Sequence, residues 1–300
     1  MIHSVYKDQV DLLLEVLPHI LHDSRLALKG GTAINLFVMN MPRLSVDIDL
    51  TFTIVTNRER FINEINDVFE GFQQRLKTYR IDIFKTSDGV PKQARISNGR
   101  SEIKIDLNLI LRGMVFPSSE RNLCEKAVFE FEKSVTVNCV SFEDLYAGKF
   151  CAALDRQHPR DLYDIKLFFE QYTFTEQLRK AFLVYLISSN RPIHELVHPN
   201  LLNQRDAFER EFVGMIYDPV RYEELEDARL TLINTILRKL TCEDREFLVS
   251  INRGEPNWEW IGLPNVQYLP GVQWKLLNIQ KMDVAKKEKD VSELKKKLGM

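Results

Sequence analysis

The sequence predicts an α+β protein with an N-terminal domain that mixes helices with a mixed sheet and a mainly α-helical C-terminal domain. Its 300 residues are enough for two domains, each with its own core. Residues 80–111 alternate apolar and polar side chains around Asp-Gly and Asn-Gly pairs, which are typical of β-hairpins. After Ser141 the apolar residues recur at helical spacing. We therefore expect one domain at 1–142 and a second at 143–300.

Helices and strands are expected from two different periodicities of the apolar residues. Spacings of three and four residues predict helices at 4–24, 32–39 and 57–78. A short apolar run at 26–28 is followed by alternating stretches, which predict strands at 47–53, 80–84, 93–97 and 102–111. A last strand pair is expected at 127–132 and 135–140. Ser141 and Asp144 resemble a capping box at the start of the helical part.

Composition excludes several classes of protein. The chain is 44% hydrophobic and 28% charged, which excludes wholesale disorder. Its formal net charge of −2 means that any RNA site is a local patch and not a global basic field. No apolar run reaches about 18 residues, so we expect no membrane contact and a cytoplasmic protein. Four widely spaced cysteines fit reduced thiols in that compartment.

Three carboxylates form the most informative pattern. Asp47 and Asp49 project from one face of a strand, where like charges repel unless a cation neutralises them. Mg²⁺ prefers carboxylate oxygens. Asp106 would join them if its strand were a neighbour, and three acids could hold two Mg²⁺ ions for an in-line nucleotidyl displacement. The alternative is that Asp47 and Asp49 merely line a solvated strand edge.

The glycines before this strand predict a phosphate site. A passage from strand to helix at Gly30, Gly31 and Thr32 leaves backbone N–H groups that attract phosphate oxygens. The absence of a Cβ atom lets a ligand approach the backbone closely. One segment would therefore bind a triphosphate, and the next would bind the metal that bridges its phosphates.

These residues carry a resemblance to a known family. Gly30-Gly31-Thr32 followed by Ser45-Val46-Asp47-Ile48-Asp49-Leu50 resembles the signature of the DNA polymerase β-type nucleotidyltransferase superfamily. It resembles more narrowly the AbiEii/AbiGii toxin family, which includes the MenT toxins. The run 147–156 and Arg160-Asp161-Leu162-Tyr163-Asp164 are similar to that family's second block, and 255–258 and 269–275 to its tail. The gap between Thr32 and Asp47 is longer than the superfamily norm, which implies an inserted loop at 39–44.

The resemblance implies a fold, an activity and partners. We expect a polymerase β-type nucleotidyltransferase domain, followed by a helical domain that completes the active-site cleft. The activity would be transfer of a nucleotide from an NTP to RNA, above all to the tRNA 3′ end. The cofactor would be Mg²⁺, with Mn²⁺ as a substitute. The partner would be a cognate antitoxin that need not contact the toxin, in a bicistronic system of abortive infection and antiviral defence.

Each candidate residue then has an expected role. Asp47 and Asp49 would be catalytic metal ligands, Ser45 would lie near the nucleotide, Lys149 would contact the triphosphate and Asp164 would be an essential acid of the second domain. From the residues alone, Gly30, Gly31 and Thr32 would hold triphosphate oxygens and Asp106 would hold metal. Following the role that the resemblance implies for Lys149, this lysine together with Arg156 and Arg160 would neutralise the leaving pyrophosphate.

Several alternatives stay open on sequence alone. Arg156, Arg160, Asp161 and Asp164 could be only a structural ion-pair network, and Lys149 an ordinary exposed lysine. The acceptor could be a protein or a small molecule, or the chain could bind a nucleotide without turnover. The run from His194 to His198 satisfies His-Glu-x-x-His, but Pro199 disfavours helical geometry at His198, so we do not expect a zinc protease.

Overall fold

The computed structural model describes residues 2–300, which divide into two compact units. The first unit runs to Leu145 and also includes Arg210–Pro219. The second unit comprises Tyr146–Glu209 and Val220–Met300. The chain therefore passes from the first unit to the second within one helix and later returns to the first for ten residues.

The first unit contains one seven-stranded mixed sheet. Its strands are β1 Leu26–Lys29, β2 Asp47–Phe52, β3 Arg80–Lys85, β4 Pro91–Ser97, β5 Glu102–Leu107, β6 Ser119–Asn122 and β7 Thr136–Cys139. Their order across the sheet is β3-β4-β5-β2-β1-β7-β6. β2 pairs parallel with β5 and antiparallel with β1, while β1 pairs parallel with β7. The mixed sheet predicted for the N-terminal domain is confirmed.

Helices cover this sheet and connect its strands. They are α1 Ser4–Ile20, α2 Gly30–Ala33, a π-helical turn Ile34–Val38, α3 Arg58–Arg75 and α4 Glu125–Phe131. α1 contacts β2, β5 and β7, and α3 contacts β4. The helix predicted at 32–39 therefore begins two residues earlier and widens into a π-helix, a form that often occurs at functional sites.

β2, the middle strand of the sheet, and its neighbour β5 carry buried side chains on one face and less buried side chains on the other. Ile48 and Leu50 are fully buried, whereas Asp47 and Asp49, which alternate with them, are half-buried. β5 follows the same pattern but ends four residues earlier than expected. The side chain of Asn108 accepts the N–H groups of Ile110 and Leu111, at 3.0 and 2.8 Å, and turns the chain out of the sheet.

The strand predicted at 127–132 is wrong, because those residues lie mainly in α4. β7 pairs instead with β6, which lies earlier in the chain. The apolar residues at 127–132 do not form a core-facing strand: Phe129 is 87% exposed, while Ala127 is buried. An extended Cys124 and the acid Glu125 open the helix.

The segment 210–219 belongs to the first unit through contacts that join distant parts of the sequence. Gly214 accepts the N–H of His3 at 3.1 Å, and Met215 accepts the N–H of Leu44 at 2.8 Å. Ile216 forms an antiparallel bridge with Arg43. The loop that precedes β2 is therefore held by residues about 170 positions later.

The second unit is helical. Its helices are the rest of α5 Phe142–Asp155, α6 Pro159–Gln171, α7 Glu176–Ser188, α8 Ile193–Val197, α9 Arg205–Ala207, α10 Tyr222–Lys239, α11 Cys242–Arg253, α12 Pro270–Gln280 and α13 Val284–Leu298. α10 packs on α6, α12 on α7 and α13 on α11. An aromatic core joins α5, α6 and α7, with the ring of Phe150 5.1 Å from Phe168 and 6.3 Å from Phe182.

Within residues 2–300 no helix has the length and apolarity that a membrane span requires. The four cysteines are free thiols. Burial raises the pKa of the Cys139 thiol to about 12, so that side chain is a packing residue and not a nucleophile.

Candidate active site

Gly30 and Asp49 bring the glycine turn and the aspartate strand into direct contact. β1 ends at Lys29, which pairs in register with Asp49 on β2. Gly30 follows with a φ of +74°, a conformation that favours glycine. A Cβ atom at this position would lie 2.1 Å from Asp49 Oδ2. Both the backbone angle and the adjacent carboxylate therefore require glycine at position 30.

Asp49 and Asp106 occupy paired positions on neighbouring strands. The parallel register of β2 and β5 sets Asp47 beside Lys104 and Asp49 beside Asp106. The strand adjacency on which the role of Asp106 depended is confirmed. Lys104 forms a salt bridge with Asp106. The face therefore carries three carboxylates and one ammonium group, with Asp49 and Asp106 side by side.

The fit of these donors to a metal is partial. Nowhere along residues 2–300 do three or more His, Cys, Asp or Glu side chains gather as a metal site. Two carboxylates on one strand face nevertheless suit Mg²⁺, which takes one or two protein carboxylates and completes its shell with substrate phosphates and water. Asp47 and Asp49 fit that pattern, while metal binding by Asp106 stays a prediction.

Lys29 adds a positive charge that the sequence interpretation did not use. It is half-buried, and burial lowers the pKa of its ammonium group, whereas the nearby carboxylates of Asp49 and Asp144 oppose that change. Asp144 is itself fixed, because it accepts the N–H groups of Val115 and Phe116, both at 2.9 Å. The only signal for Lys29 in the sequence is the position of this lysine directly before Gly30.

Thr32 and Ser45 tie the glycine turn to the start of β2. Thr32 is 1% exposed, and its hydroxyl donates to the carbonyl of Asp47 at 2.5 Å and lies 3.0 Å from the Ser45 hydroxyl. Ser45 is also buried. The Thr32 hydroxyl thus makes contacts within the protein. The predicted contacts of both residues with a nucleotide stay predictions.

Arg43 lies against the second glycine of the turn. A Cβ atom at Gly31 would lie 2.9 Å from Arg43 Nη2 and 3.0 Å from Ser45 Oγ. Arg43 is only 2% exposed, and its Nη1 donates to the carbonyl of Leu44 at 2.9 Å. Sequence reasoning missed this residue because it lies in an irregular loop, where no periodicity indicates which side chains point inward.

A second group of candidate residues lies in the helical unit. Lys149 Nζ lies 2.9 Å from Asp161 Oδ1 and 2.8 Å from Asp164 Oδ2. Lys149 is 6% exposed and both acids are 1% exposed, so the interpretation of Lys149 as an exposed surface lysine is wrong. α5 carries Lys149 and α6 carries the acids, which lie in the first two turns after Pro159 at the start of that helix.

Asp161 forms ion pairs with both Lys149 and Arg156. The sequence did not indicate that this acid would have two cationic partners. Arg156 Nε donates to Asp161 Oδ2 at 2.5 Å and Arg156 Nη2 to Oδ1 at 3.1 Å. Burial raises the pKa of Asp161, but the charges of Lys149 and Arg156 outweigh it and hold that pKa below its usual range. Of the ion-pair network considered from the sequence, Arg156, Asp161 and Asp164 form ion pairs in this group. Arg160 is half-buried, and its backbone N–H donates to His158 Nδ1 at 3.2 Å.

The His-Glu-x-x-His run does not form a zinc site. α8 spans only Ile193–Val197, and His198 follows in a non-helical conformation with a φ of −145° and a ψ of 77°. The two histidines therefore do not share a helical face, as Pro199 led us to expect.

Comparison with known proteins identifies the family. Residues 11–275 match the family model described as nucleotidyl transferase AbiEii toxin, type IV toxin–antitoxin system. The fold is similar to that of MenT4, a nucleotidyltransferase toxin from Mycobacterium tuberculosis H37Rv, with a TM-score of 0.59 and 17% sequence identity over 89% of this chain and 92% of that one. Among proteins with curated descriptions, none matches significantly. The chain belongs to the AbiEii family of toxin nucleotidyltransferases, and is an enzyme that acts on a nucleotide and has an antitoxin partner.

Proposed function

We propose that this enzyme transfers a nucleotide from an NTP to the 3′ end of tRNA, in a Mg²⁺-dependent reaction that blocks translation. The contact between Gly30 and the carboxylate of Asp49 carries this proposal. It joins a turn suited to phosphate oxygens with a strand suited to their metal. In a cell the reaction would take place in the cytoplasm and would serve antiviral defence.

The first unit would bind the nucleotide and the metal. Asp47 and Asp49 hold Mg²⁺ in this proposal, and Asp106 joins them if its bond to Lys104 opens. The metal stabilises negative charge at the reacting phosphate and lowers the pKa of a bound hydroxyl. Gly30, Gly31 and Thr32 contribute backbone N–H groups to the phosphates, since the Thr32 hydroxyl already has partners within the protein.

Residues of the helical unit would serve the leaving group. Lys149 supplies positive charge for the pyrophosphate, with Arg156 and Arg160 as further cations. Asp161 and Asp164 fix the Lys149 ammonium between two carboxylates, which supports a role for Asp164 in orienting that lysine. Arg156 is better exposed, with 63% of its side chain accessible, and is the more readily available cation.

An acceptor screen tests the proposal. The purified protein is incubated with each α-labelled NTP, Mg²⁺ and either tRNA, total protein or small-molecule acceptors. We expect label on tRNA, loss of labelling on chelation of the metal and its return with Mn²⁺. Label on protein or on a small product would refute the tRNA acceptor and support another acceptor class. Nucleotide binding without label transfer to any acceptor would contradict the proposed reaction.

A further inference from the structure

The space beside Gly31 is filled by the guanidinium of Arg43. A Cβ atom at Gly31 would lie 2.9 Å from Arg43 Nη2, too close for the arginine to keep its position. The backbone angle does not demand glycine here, since Gly31 is absent from the positive-φ residues of the chain. The requirement for glycine at position 31 therefore comes from the side chains of Arg43 and Ser45.

One side-chain contact and two backbone contacts hold Arg43 and the neighbouring Leu44 in place. Its Nη1 donates to the carbonyl of Leu44, its backbone bridges to Ile216, and the next N–H in the chain, that of Leu44, donates to Met215. A charged side chain that is 2% exposed loses its hydration, a cost that the fold must offset. The fold nevertheless places this cation at the turn between β1 and α2.

We infer that Arg43 is a positioning residue for nucleotide binding, which holds the Gly30–Gly31 turn at the correct spacing from Ser45 and Asp47. This inference rests on the proposed binding of an NTP at that turn. Arg43 acts through the turn and not by touching the nucleotide, because its side chain is almost fully covered. The planar guanidinium is required for this task, since a lysine ammonium carries the same charge but has neither the fork nor the Nη2 atom.

A double-mutant cycle tests the inference. Wild type, Gly31→Ala, Arg43→Lys and the double variant are titrated with NTP and Mg²⁺ by calorimetry. When Arg43 is present, we expect Gly31→Ala to raise the Kd for NTP about tenfold, because the displaced turn no longer places its N–H groups correctly for the nucleotide. The same substitution should cost less than about threefold in the Arg43→Lys background, where the clashing atom is absent. Independent effects, with equal fold-changes in both backgrounds, would overturn the inference.

Two controls separate positioning from general stability. Arg25→Lys changes an arginine at the opposite end of β1 and should leave the Kd at the wild-type value. Urea unfolding of the same proteins reports stability. A higher Kd for Arg43→Lys at an unchanged urea midpoint supports positioning and suffices if Gly31→Ala does not fold. An unchanged Kd for Arg43→Lys overturns the inference that Arg43 is a positioning residue.

The proposed function can also fail separately. If wild type binds no NTP, the proposed nucleotide site is wrong and this inference falls with it. If wild type binds NTP and the two effects are independent, only the role of Arg43 is refuted.

Discussion

At the scale of single residues, Gly30 combines a positive φ with a close approach to the carboxylate of Asp49. Gly30→Ala should lower the free energy of unfolding for two reasons. A positive φ costs a residue with a Cβ atom about 1–2 kcal/mol, and displacement of the Asp49 side chain adds about 1–3 kcal/mol. Nucleotide transfer should fall with it, since Asp49 moves. Urea unfolding and a transfer assay measure the two effects.

Gly89 offers a matched control for that substitution. Its φ of +79° is close to that of Gly30, but no atom lies within 4 Å of the position that a Cβ atom would occupy there. Gly89→Ala should therefore show the backbone cost without the loss of transfer. Equal stability and equal activity in the two variants would contradict the role of the contact between Gly30 and Asp49.

The residue scale also shows how far the sequence predicts the site. Asp47 and Asp49 could be assigned to one strand face because strand periodicity is local. The contacts of Lys149 with Asp161 and Asp164 depend on how α5 packs on α6, which spacing alone does not specify. Arg43 could not be identified, because its burial arises from an irregular loop and from partners late in the chain.

At the scale of helices, Lys275 of α12 links two elements by binding carbonyl groups after the end of α7. Its Nζ donates to the carbonyls of Ser189, at 2.9 Å, and Arg191, at 2.5 Å. Burial lowers the pKa of this ammonium from 10.5 to about 8. Between those values the unfolded chain binds more protons than the folded protein, so this lysine makes stability rise with pH.

The comparison of wild type with Lys275→Met measures that linkage. We expect the unfolding free energy of wild type, relative to the variant, to rise by about 3 kcal/mol from pH 8 to 10.5. Urea unfolding across this range provides the measurement. Lys281→Met, at an exposed lysine beyond the end of α12, should show no such rise. A pH-independent difference for Lys275→Met would refute the assignment.

Element boundaries show where local patterns stop being informative. The helix expected at 57–78 forms as Arg58–Arg75, because its apolar stripe and its Asn57 cap are local signals. The strand expected at 127–132 is a helix, and Phe129, one of its apolar residues, is exposed. Burial depends on the neighbours in space, which periodicity does not identify.

At the scale of the whole molecule, the first unit is completed by residues from far along the chain. Tyr217 donates to Glu130 Oε2 at 2.6 Å, and Lys7 lies 2.6 Å from the other oxygen of that carboxylate. Burial and the adjacent Glu130 both raise the pKa of Tyr217. No pattern in the sequence predicted that 210–219 belongs to this unit, because such contacts leave no local periodicity.

Tyr217→Phe tests the contribution of that segment. Loss of a hydrogen bond to a charged group should lower the free energy of unfolding by about 1.5–3 kcal/mol. Tyr268→Phe, at a side chain that is 64% exposed, should change it by less than about 0.5 kcal/mol. Urea unfolding of both variants gives the comparison, and equal stabilities would show that the bond of Tyr217 contributes nothing.

The central claim is that the carboxylates beside Gly30 carry nucleotidyl transfer, and Asp49→Asn tests it most directly. Transfer of label from an α-labelled NTP is compared in wild type, Asp49→Asn and Asp82→Asn, whose carboxylate lies on β3 beside Arg80. We expect a loss of about a hundredfold or more in Asp49→Asn, since a metal ligand is worth several kcal/mol, and wild-type transfer in Asp82→Asn. Undiminished transfer by Asp49→Asn would contradict it.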